Sequence, residues 1–161
     1  MASTHQGGWL IVGSIFVALV LTVLPLPEGV GIWRPEWTAM VLVYWCIALP
    51  ERVGVGWSWL VGCLQDILIG SILGAHALAF AVAAYLSMRL YQRLRVFPVW
   101  QQAMAVLLLL LLIRVILFWI NSVLAESPPA WPYLMPALTG TAVWPVVFVT
   151  LRRLRRRFNV R

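Results

Sequence analysis

Apolar residues dominate the segment 100–121, and its middle part, residues 106–113, consists only of Val, Leu and Ile. A helix of about 20 apolar residues is long enough to cross a bilayer. The whole chain carries 63% hydrophobic and 11% charged residues, whereas soluble domains average about 45–50% and about 25%. A chain of 161 residues cannot bury that much apolar surface in a soluble core, so the sequence predicts a membrane protein.

Five further apolar segments are separated by short stretches that contain Pro, Arg or Gly. We therefore predict an all-α polytopic membrane protein, a single domain of six transmembrane helices. The predicted spans cover residues 9–24, 37–49, 55–73, 75–90, 100–121 and 133–151, and a short basic tail follows at residues 152–161. No small-residue cleavage site follows the first apolar segment, so we expect it to be retained as a helix rather than removed as a signal peptide.

Arginine placement predicts the orientation, because cytoplasmic loops carry an excess of Lys and Arg. All 12 basic residues are arginine. With six spans and cytoplasmic termini, ten of them lie inside, in the loops after the second and fourth spans and in the tail. Only Arg34 lies outside, beside the acidic residues Glu28, Glu36 and Glu126, and Arg114 remains within a span. Both termini are therefore predicted to be cytoplasmic.

Two charged residues, Asp66 and Arg114, fall at membrane depth, where a charge costs at least about 2.5 kcal/mol. At 1.5 Å per residue, they lie roughly 16 Å and roughly 21 Å from the inner ends of their spans. A long arginine side chain can cover that difference. We predict an Asp66–Arg114 ion pair, or one polar network that both share with Gln65. The alternative is that Arg114 reaches the outer interface while Asp66 bonds to backbone.

Small and polar residues recur every four positions in the third span, which places them on one helix face. This predicted packing or partner face comprises Ser58, Gly62, Asp66, Gly70 and Gly74. Small residues let helices approach closely in membranes. Packing within the chain is one interpretation of the face, and contact with another subunit or a cavity is the other. His76 follows directly and is predicted to be a hydrogen-bonded structural residue, with titration near neutral pH as the alternative.

Two segments outside the apolar spans suggest contacts with the surroundings. Residues 125–136 contain four prolines, which predict an irregular outer loop anchored by Trp131 and Tyr133. The basic tail predicts a topology anchor that attracts anionic lipid, or an acidic cytoplasmic partner. Its anchoring arginines are Arg152, Arg153, Arg155, Arg156 and Arg157. An arm this short does not indicate nucleic-acid binding.

The sequence contains no nucleotide-binding glycine motif, no HExxH zinc motif and no Gly-x-Ser-x-Gly nucleophile motif. Cys46 and Cys63 lie in apolar segments without ligand spacing, so we predict neither a disulfide nor a metal site. Five acidic residues, one of them within a span, leave little for acid–base chemistry. We therefore predict a protein that is not an enzyme, with no catalytic residue and no cofactor.

Three segments resemble one known family, the MreD family of rod shape-determining membrane proteins, in its proteobacterial form. Residues 34–50 resemble the family's second helix, and residues 91–102 are also similar. The most specific match is the pattern Gly-x-x-Gln-Asp-x-x-x-Gly-x-x-x-Gly, carried here by Gly62, Gln65, Asp66, Gly70 and Gly74. The resemblance covers nearly the whole chain.

The resemblance implies an inner-membrane protein of the machinery that inserts peptidoglycan along the side wall of rod-shaped bacteria. Its implied direct partner is MreC, a single-span protein with a periplasmic domain. Further implied associates are MreB, RodA, a class B penicillin-binding protein and RodZ. The implied fold is similar to that of the substrate-binding subunits of energy-coupling-factor transporters. The resemblance assigns no role to Gln65 or Asp66.

Three functions are weighed on this basis. The first is a non-enzymatic membrane scaffold that binds MreC and supports side-wall synthesis and rod shape. The second is a small-molecule or lipid-binding, transporter-like subunit that uses the Asp66 and Arg114 polar site, and it rests on fold analogy. The third is a membrane enzyme acting on lipid-linked precursors, which the missing catalytic motifs disfavour. The scaffold is the predicted function.

Overall fold

The computed structural model describes residues 7–124 and 129–160, and this part of the chain contains helices and no strand. The helices are α1 (Gly8–Val23), α2 (Trp37–Ala48), α3 (Val55–Ile69), α4 (Ala75–Val96), α5 (Val99–Leu124) and α6 (Ala130–Arg157). A short 3-10 turn, Gly31–Trp33, precedes α2. The all-helical class and the six predicted helices are thus confirmed for the described residues.

Helix α2 is the centre of the bundle. Every residue from Thr38 to Ala48 is buried, because α1, α4, α5 and α6 all pack around it. Trp45 at its middle is fully buried, as is Trp144 of α6, so both indole rings belong to the packed core. The side of α4 that faces the core is rich in alanine, which allows the close approach of this helix to α2 and α3.

The bundle has two distinct ends. At the terminal end, which contains the first and last described residues, Gly7 and Val160, the Trp9 and Phe158 rings lie 4.9 Å apart, centroid to centroid. Arg95 at the end of α4 donates to the carbonyl oxygens of Ile47 and Ala48 there, and so caps the last turn of α2. The opposite end, which we call the distal end, contains the start of α2, the α3–α4 turn and the α5–α6 connection. The start of α1 and the end of α6 therefore lie at the same end of the bundle.

Only α5 and α6 are both long and apolar enough to cross a membrane by themselves, among the residues that the structure describes. Only 28% and 33% of the residues in their most apolar windows are buried, so most residues of these windows keep some exposed surface. Helices α1 and α3 are apolar but shorter. Large apolar side chains such as Phe16 and Ile67 nevertheless project from them and are about two-thirds exposed, at 65% and 66%.

The third predicted span is too long at its outer end, because α3 stops at Ile69 rather than at residue 73. Gly70 adopts a left-handed conformation with a φ of 66°, and the Ser71 amide bonds to the Asp66 carbonyl oxygen at 3.0 Å. This is the Schellman ending that glycine favours. Gly74 also has a positive φ, of 97°, and precedes α4. The expectation that both glycines lie on the helical face of α3 is therefore wrong.

The fourth and sixth helices are longer than predicted. Helix α4 continues to Val96 and α6 continues through Arg157, so arginines assigned to a loop and a tail lie on helices. The predicted irregular segment 125–136 is helical from Ala130 onward, while residues 125–128 lie outside the described residues. Pro132 lies in the first turn, where no intrahelical amide bond is lost. Pro136 and Pro145 are accommodated inside the helix.

Gly62 marks the tightest contact between α3 and α4. A methyl group added at this residue would lie 2.4 Å from the Ala77 Cα atom and 2.5 Å from its amide nitrogen. Backbone atoms cannot move aside as a flexible side chain would. We expect Gly62→Ala to force α3 away from α4 and to lower the free energy of unfolding by about 1–3 kcal/mol, measured by denaturant titration in detergent.

Gly56 provides a matched control on the same helix, because nothing lies within 4 Å of a methyl group added there. Gly56→Ala is expected to leave stability unchanged or to raise it by about 0.5–1 kcal/mol, since alanine is the better helix former. Equal stabilities of the two variants would contradict the packing described here.

Candidate functional site

Asp66 links the end of α3 to the start of α4. Its own carbonyl oxygen receives the amide bonds that end α3. Its carboxylate is fully buried and accepts bonds from the amides of Gly74 at 2.9 Å and His76 at 3.1 Å, with a longer contact from Ala77 at 3.5 Å. A helix start normally receives such bonds from its own N-cap side chain. Because the N-cap residue Gly74 has no side chain, Asp66 supplies this cap from the neighbouring helix.

His76 completes the surroundings of the Asp66 carboxylate. Its Nδ1 atom lies 2.7 Å from Asp66 Oδ1, and its ring packs edge-on against Phe80. Ser71 donates its hydroxyl to the same carboxylate oxygen at 2.6 Å. These contacts confirm that His76 is a hydrogen-bonded structural residue. They also confirm the alternative that Asp66 bonds to backbone groups.

The predicted ion pair between Asp66 and Arg114 is wrong. Arg114 instead forms a salt bridge with Glu36, whose side chain is only 5% exposed. The guanidinium group of Arg114 also lies over the Tyr133 ring, 5.2 Å from the ring centroid. The physical reason is depth, because Glu36 stands at the start of α2, inside the bundle, rather than in the outer loop where the sequence placed it. The sequence did contain a signal for this ion pair, because Glu36 carries the opposite charge and directly precedes the second predicted span.

A polar cavity of about 310 Å³ occupies the distal end. Residues from five helices (α1, α3, α4, α5 and α6), from the α3–α4 turn and from the segment that precedes α2 line this distal cavity. Its polar lining residues are Thr22, Arg34, Glu36, Gln65, Ser71, His76, Arg114, Asn121 and Tyr133. Gln65 and Arg114 both line the cavity, but among the described residues no hydrogen bond joins Gln65 to Arg114 or to Asp66, so the predicted shared network does not form. Asp66 contacts the lining through His76 and Ser71.

Several polar atoms of the distal cavity have no partner among the described residues. Gln65 is 1% exposed, yet its Oε1 atom receives no hydrogen bond. The Nε atoms of Arg34 and Arg114 are likewise buried without a partner. Arg34 uses its two terminal nitrogens to cap the carbonyl groups of Thr22 and Leu24 at the end of α1. Buried polar groups are usually satisfied, so these atoms mark the cavity as an incomplete polar site.

The distal cavity is recessed below the ends of α5 and α6. Arg114 meets the start of α2 ten residues before α5 ends at Leu124, which corresponds to about 15 Å. Helix α6 passes the same level at Gly140, where an added methyl group would lie 3.8 Å from the Glu36 amide nitrogen. The two long helices therefore form a wall that extends beyond the cavity.

A family model described as rod shape-determining protein MreD matches residues 3–154. The chain belongs to the MreD family. It is 35% identical over 153 residues to the rod shape-determining protein MreD of Haemophilus influenzae, and the match covers 94% of each chain. No solved structure matches the chain.

Membership of the MreD family identifies the chain as a homologue of a rod-shape determinant, a class of membrane-associated proteins not known as enzymes. The structure shows what most residues of the family motif do in this chain. Gly62 permits close packing of α3 on α4, Asp66 caps α4, and Gly70 ends α3. Gln65 alone among the quoted motif residues faces the distal cavity.

An apolar groove of about 480 Å³ lies on another side of this MreD-family bundle, between α1 and α6, with Trp37 and Val41 of α2 beneath it. Each wall is a stripe of residues spaced three and four apart. The α1 stripe is Leu10, Gly13, Ser14, Val17, Ala18 and Leu21, and the α6 stripe is Val143, Val146, Val147, Thr150, Leu151 and Leu154. Sequence reasoning missed this groove because neither stripe stands out within a wholly apolar helix.

The remaining predicted site residues are placed as follows. Ser58 is fully buried, and its hydroxyl lies 3.8 Å from the Cys46 sulfur, so this part of the predicted face packs within the chain. The tail arginines occupy the last turns of α6, where Arg152, Arg153, Arg156 and Arg157 are exposed. Arg155 is half-buried and bonds to the Val160 carbonyl oxygen at 3.4 Å. Arg161 and Glu126 lie outside the described residues.

Proposed function

We propose that this MreD-family protein is a non-enzymatic scaffold with six transmembrane helices in the bacterial inner membrane. The distribution of arginine between the two ends supports the orientation. The terminal end carries the last turns of α4 and α6 with their basic residues, whereas Arg34 lies at the distal end. The positive-inside rule then favours a cytoplasmic terminal end and a periplasmic distal end.

The apolar groove is the observation that carries the scaffold proposal. Two helical stripes with the same spacing face a space long enough for several turns, since residues 10 and 21 are about 17 Å apart along α1. Gly13 and Ala18 have small side chains or none, so another helix can approach α1 closely, as is common in membranes. The polar atom of Ser14 is already used, because it bonds to the Ile11 carbonyl and receives the Trp45 indole N–H. The groove therefore suits one apolar helix.

The occupant proposed is the single transmembrane helix of MreC, the direct partner implied by the family resemblance. MreB, RodA, a class B penicillin-binding protein and RodZ are proposed as further members of the same assembly, which supports side-wall peptidoglycan synthesis. The exposed arginines at the end of α6 are proposed to hold anionic lipid at the cytoplasmic surface. The likeness in fold to the substrate-binding subunits of energy-coupling-factor transporters stays a prediction, which an experimental structure would test.

Gly13→Leu tests the groove directly. Nothing lies within 4 Å of a Cβ atom added at Gly13, which lines the groove, so the variant is expected to fold normally while its leucine extends into the groove. We expect recovery of MreC with the tagged protein from native membranes in mild detergent to fall about tenfold or more, because the partner helix loses its close packing. The amount of MreC per molecule of protein is the measured quantity.

Gly56→Leu is the matched control, since Gly56 is an equally open helical glycine that lies outside the groove on α3. It is expected to leave MreC recovery unchanged. Normal recovery from both variants would exclude the groove as the docking site. A bound lipid or small molecule with no stoichiometric protein partner in the wild type would contradict the scaffold proposal itself.

A further inference from the structure

We infer that the distal cavity binds a small anionic group, a phosphate or carboxylate that also carries a hydroxyl or amine donor. This ligand site goes beyond the scaffold proposal and does not depend on MreC. Its basis is a partly open cavity whose polar lining residues leave several hydrogen-bonding atoms without partners among the described residues.

Arginine donors favour an anionic ligand. Arg34, Arg114 and Glu36 line the cavity, and Glu36 neutralises only one of the two arginines. His76 also faces the cavity, but its Nδ1 atom is bound to the buried Asp66 carboxylate. The lining itself thus holds two arginines against one carboxylate, and the second carboxylate, that of Asp66, lies behind the lining and is bonded to His76 and Ser71. The Nε atoms of the two arginines are unpartnered but covered donors, and a small shift of either side chain would present them to an anionic oxygen.

Gln65 indicates that the ligand also carries a hydrogen-bond donor. It is 1% exposed, lines the cavity, and has an Oε1 atom without a donor. An isolated buried acceptor is costly, and a ligand hydroxyl or amine would satisfy it. An anion without a donor would leave Gln65 unsatisfied. The combination of anionic oxygens and a neighbouring donor is thus the chemistry that the cavity lacks.

Size and position limit the source of the ligand. A volume of about 310 Å³ corresponds to about ten water molecules, which is the scale of a glycerophosphate group. The cavity lies at the distal end, below the wall formed by α5 and α6. A soluble phosphate ester and the headgroup of a membrane lipid share this chemistry, and the two sources are separated by experiment.

The test uses the full chain, purified in mild detergent and delipidated. Binding of radiolabelled glycerol 3-phosphate is measured by equilibrium dialysis at constant ionic strength. In a parallel arm, binding of phosphatidylglycerol, with phosphatidylcholine as reference, is measured by native mass spectrometry. Binding of glycerol 3-phosphate assigns a soluble ligand, and selective binding of phosphatidylglycerol alone assigns a headgroup. Both results support the site, and absence of both overturns it.

Gln65→Leu removes the unpartnered acceptor without removing any bond within the described chain. We expect the dissociation constant to rise about tenfold or more, while the thermal unfolding midpoint of the ligand-free protein stays the same or rises. Gln65→Glu is a second variant. It places a carboxylate beside the arginines and is expected to abolish anion binding through repulsion and competition.

Gln102→Leu is the matched control. Gln102 is another buried glutamine, but its amide donates to the Leu94 carbonyl at 3.0 Å and accepts the Trp144 indole N–H at 3.3 Å. This variant is expected to lower the unfolding midpoint and to leave ligand binding unchanged. Binding by Gln65→Leu equal to that of wild type, or destabilisation equal to that of Gln102→Leu, would overturn the proposed role of Gln65.

Discussion

Asp66→Ala is expected to lower the free energy of unfolding by about 3–5 kcal/mol, because it removes the cap of α4 in one step. The amides of Gly74 and His76 lose their acceptor, and the Ser71 hydroxyl and the His76 ring lose theirs. Each buried donor left unsatisfied costs about 1–3 kcal/mol, and partial fraying of α4 limits the sum. Denaturant unfolding in detergent, followed by tryptophan fluorescence, measures the change.

Asp66→Asn provides a graded control, since the asparagine amide keeps one acceptor oxygen in nearly the same position. A loss of about half the alanine effect is expected. Ser71→Ala removes a single contact and is expected to cost about 1 kcal/mol. A loss below about 1 kcal/mol for Asp66→Ala would mean that α4 begins without this cap.

Arg114→Met is also expected to lower the free energy of unfolding by about 3–5 kcal/mol, but for a different reason. The substitution preserves much of the side-chain volume but leaves the Glu36 carboxylate buried without its partner. The contact with the Tyr133 ring is lost too. Unfolding in detergent is again the measurement. Arg93→Met is the control, because Arg93 is exposed near the end of α4 and its loss is expected to change stability by less than about 0.5 kcal/mol.

The double variant Glu36→Gln with Arg114→Met separates the ion pair from the packing of Arg114. Neutralising Glu36 removes the unpaired charge, so the double variant is expected to recover about 2 kcal/mol relative to Arg114→Met alone. Strictly additive effects of the two substitutions would contradict the salt bridge between them.

The sequence predicted the helices well and their polar contacts poorly. The bounds of α1, α2 and α5 were predicted to within a few residues, from long apolar segments that are bounded by Pro or Arg. The prediction succeeds because few structures other than a helix can bury such segments. The end of α3 was misplaced because Gly70 suits a helix interface and a helix end equally well in the one-dimensional pattern. Only the backbone conformation separates the two interpretations.

The partners of Asp66 and Arg114 required three-dimensional information. From the sequence, the two residues were paired with each other because they lie at similar depths along their helices. That prediction did not consider that the start of α2, with Glu36, lies inside the bundle. The cap of α4 joins residues eight to ten apart across a turn, which no helical periodicity describes. The residues that line the distal cavity come from segments that are far apart in the sequence. The cavity could therefore not be predicted from any one segment.

The unequal lengths of the helices have a consequence for the lipid around the protein. Helices α1 and α3 are about 24 Å and about 22 Å long, whereas α5 and α6 reach about 39 Å and about 42 Å. With the proposed six transmembrane helices, a hydrocarbon layer about 30 Å thick would have to thin beside the short helices, at a cost of a fraction of a kcal/mol per Å of mismatch. A partner helix lying along α1 would displace some of those compressed lipids, so relief of bilayer deformation would add to the driving force for assembly.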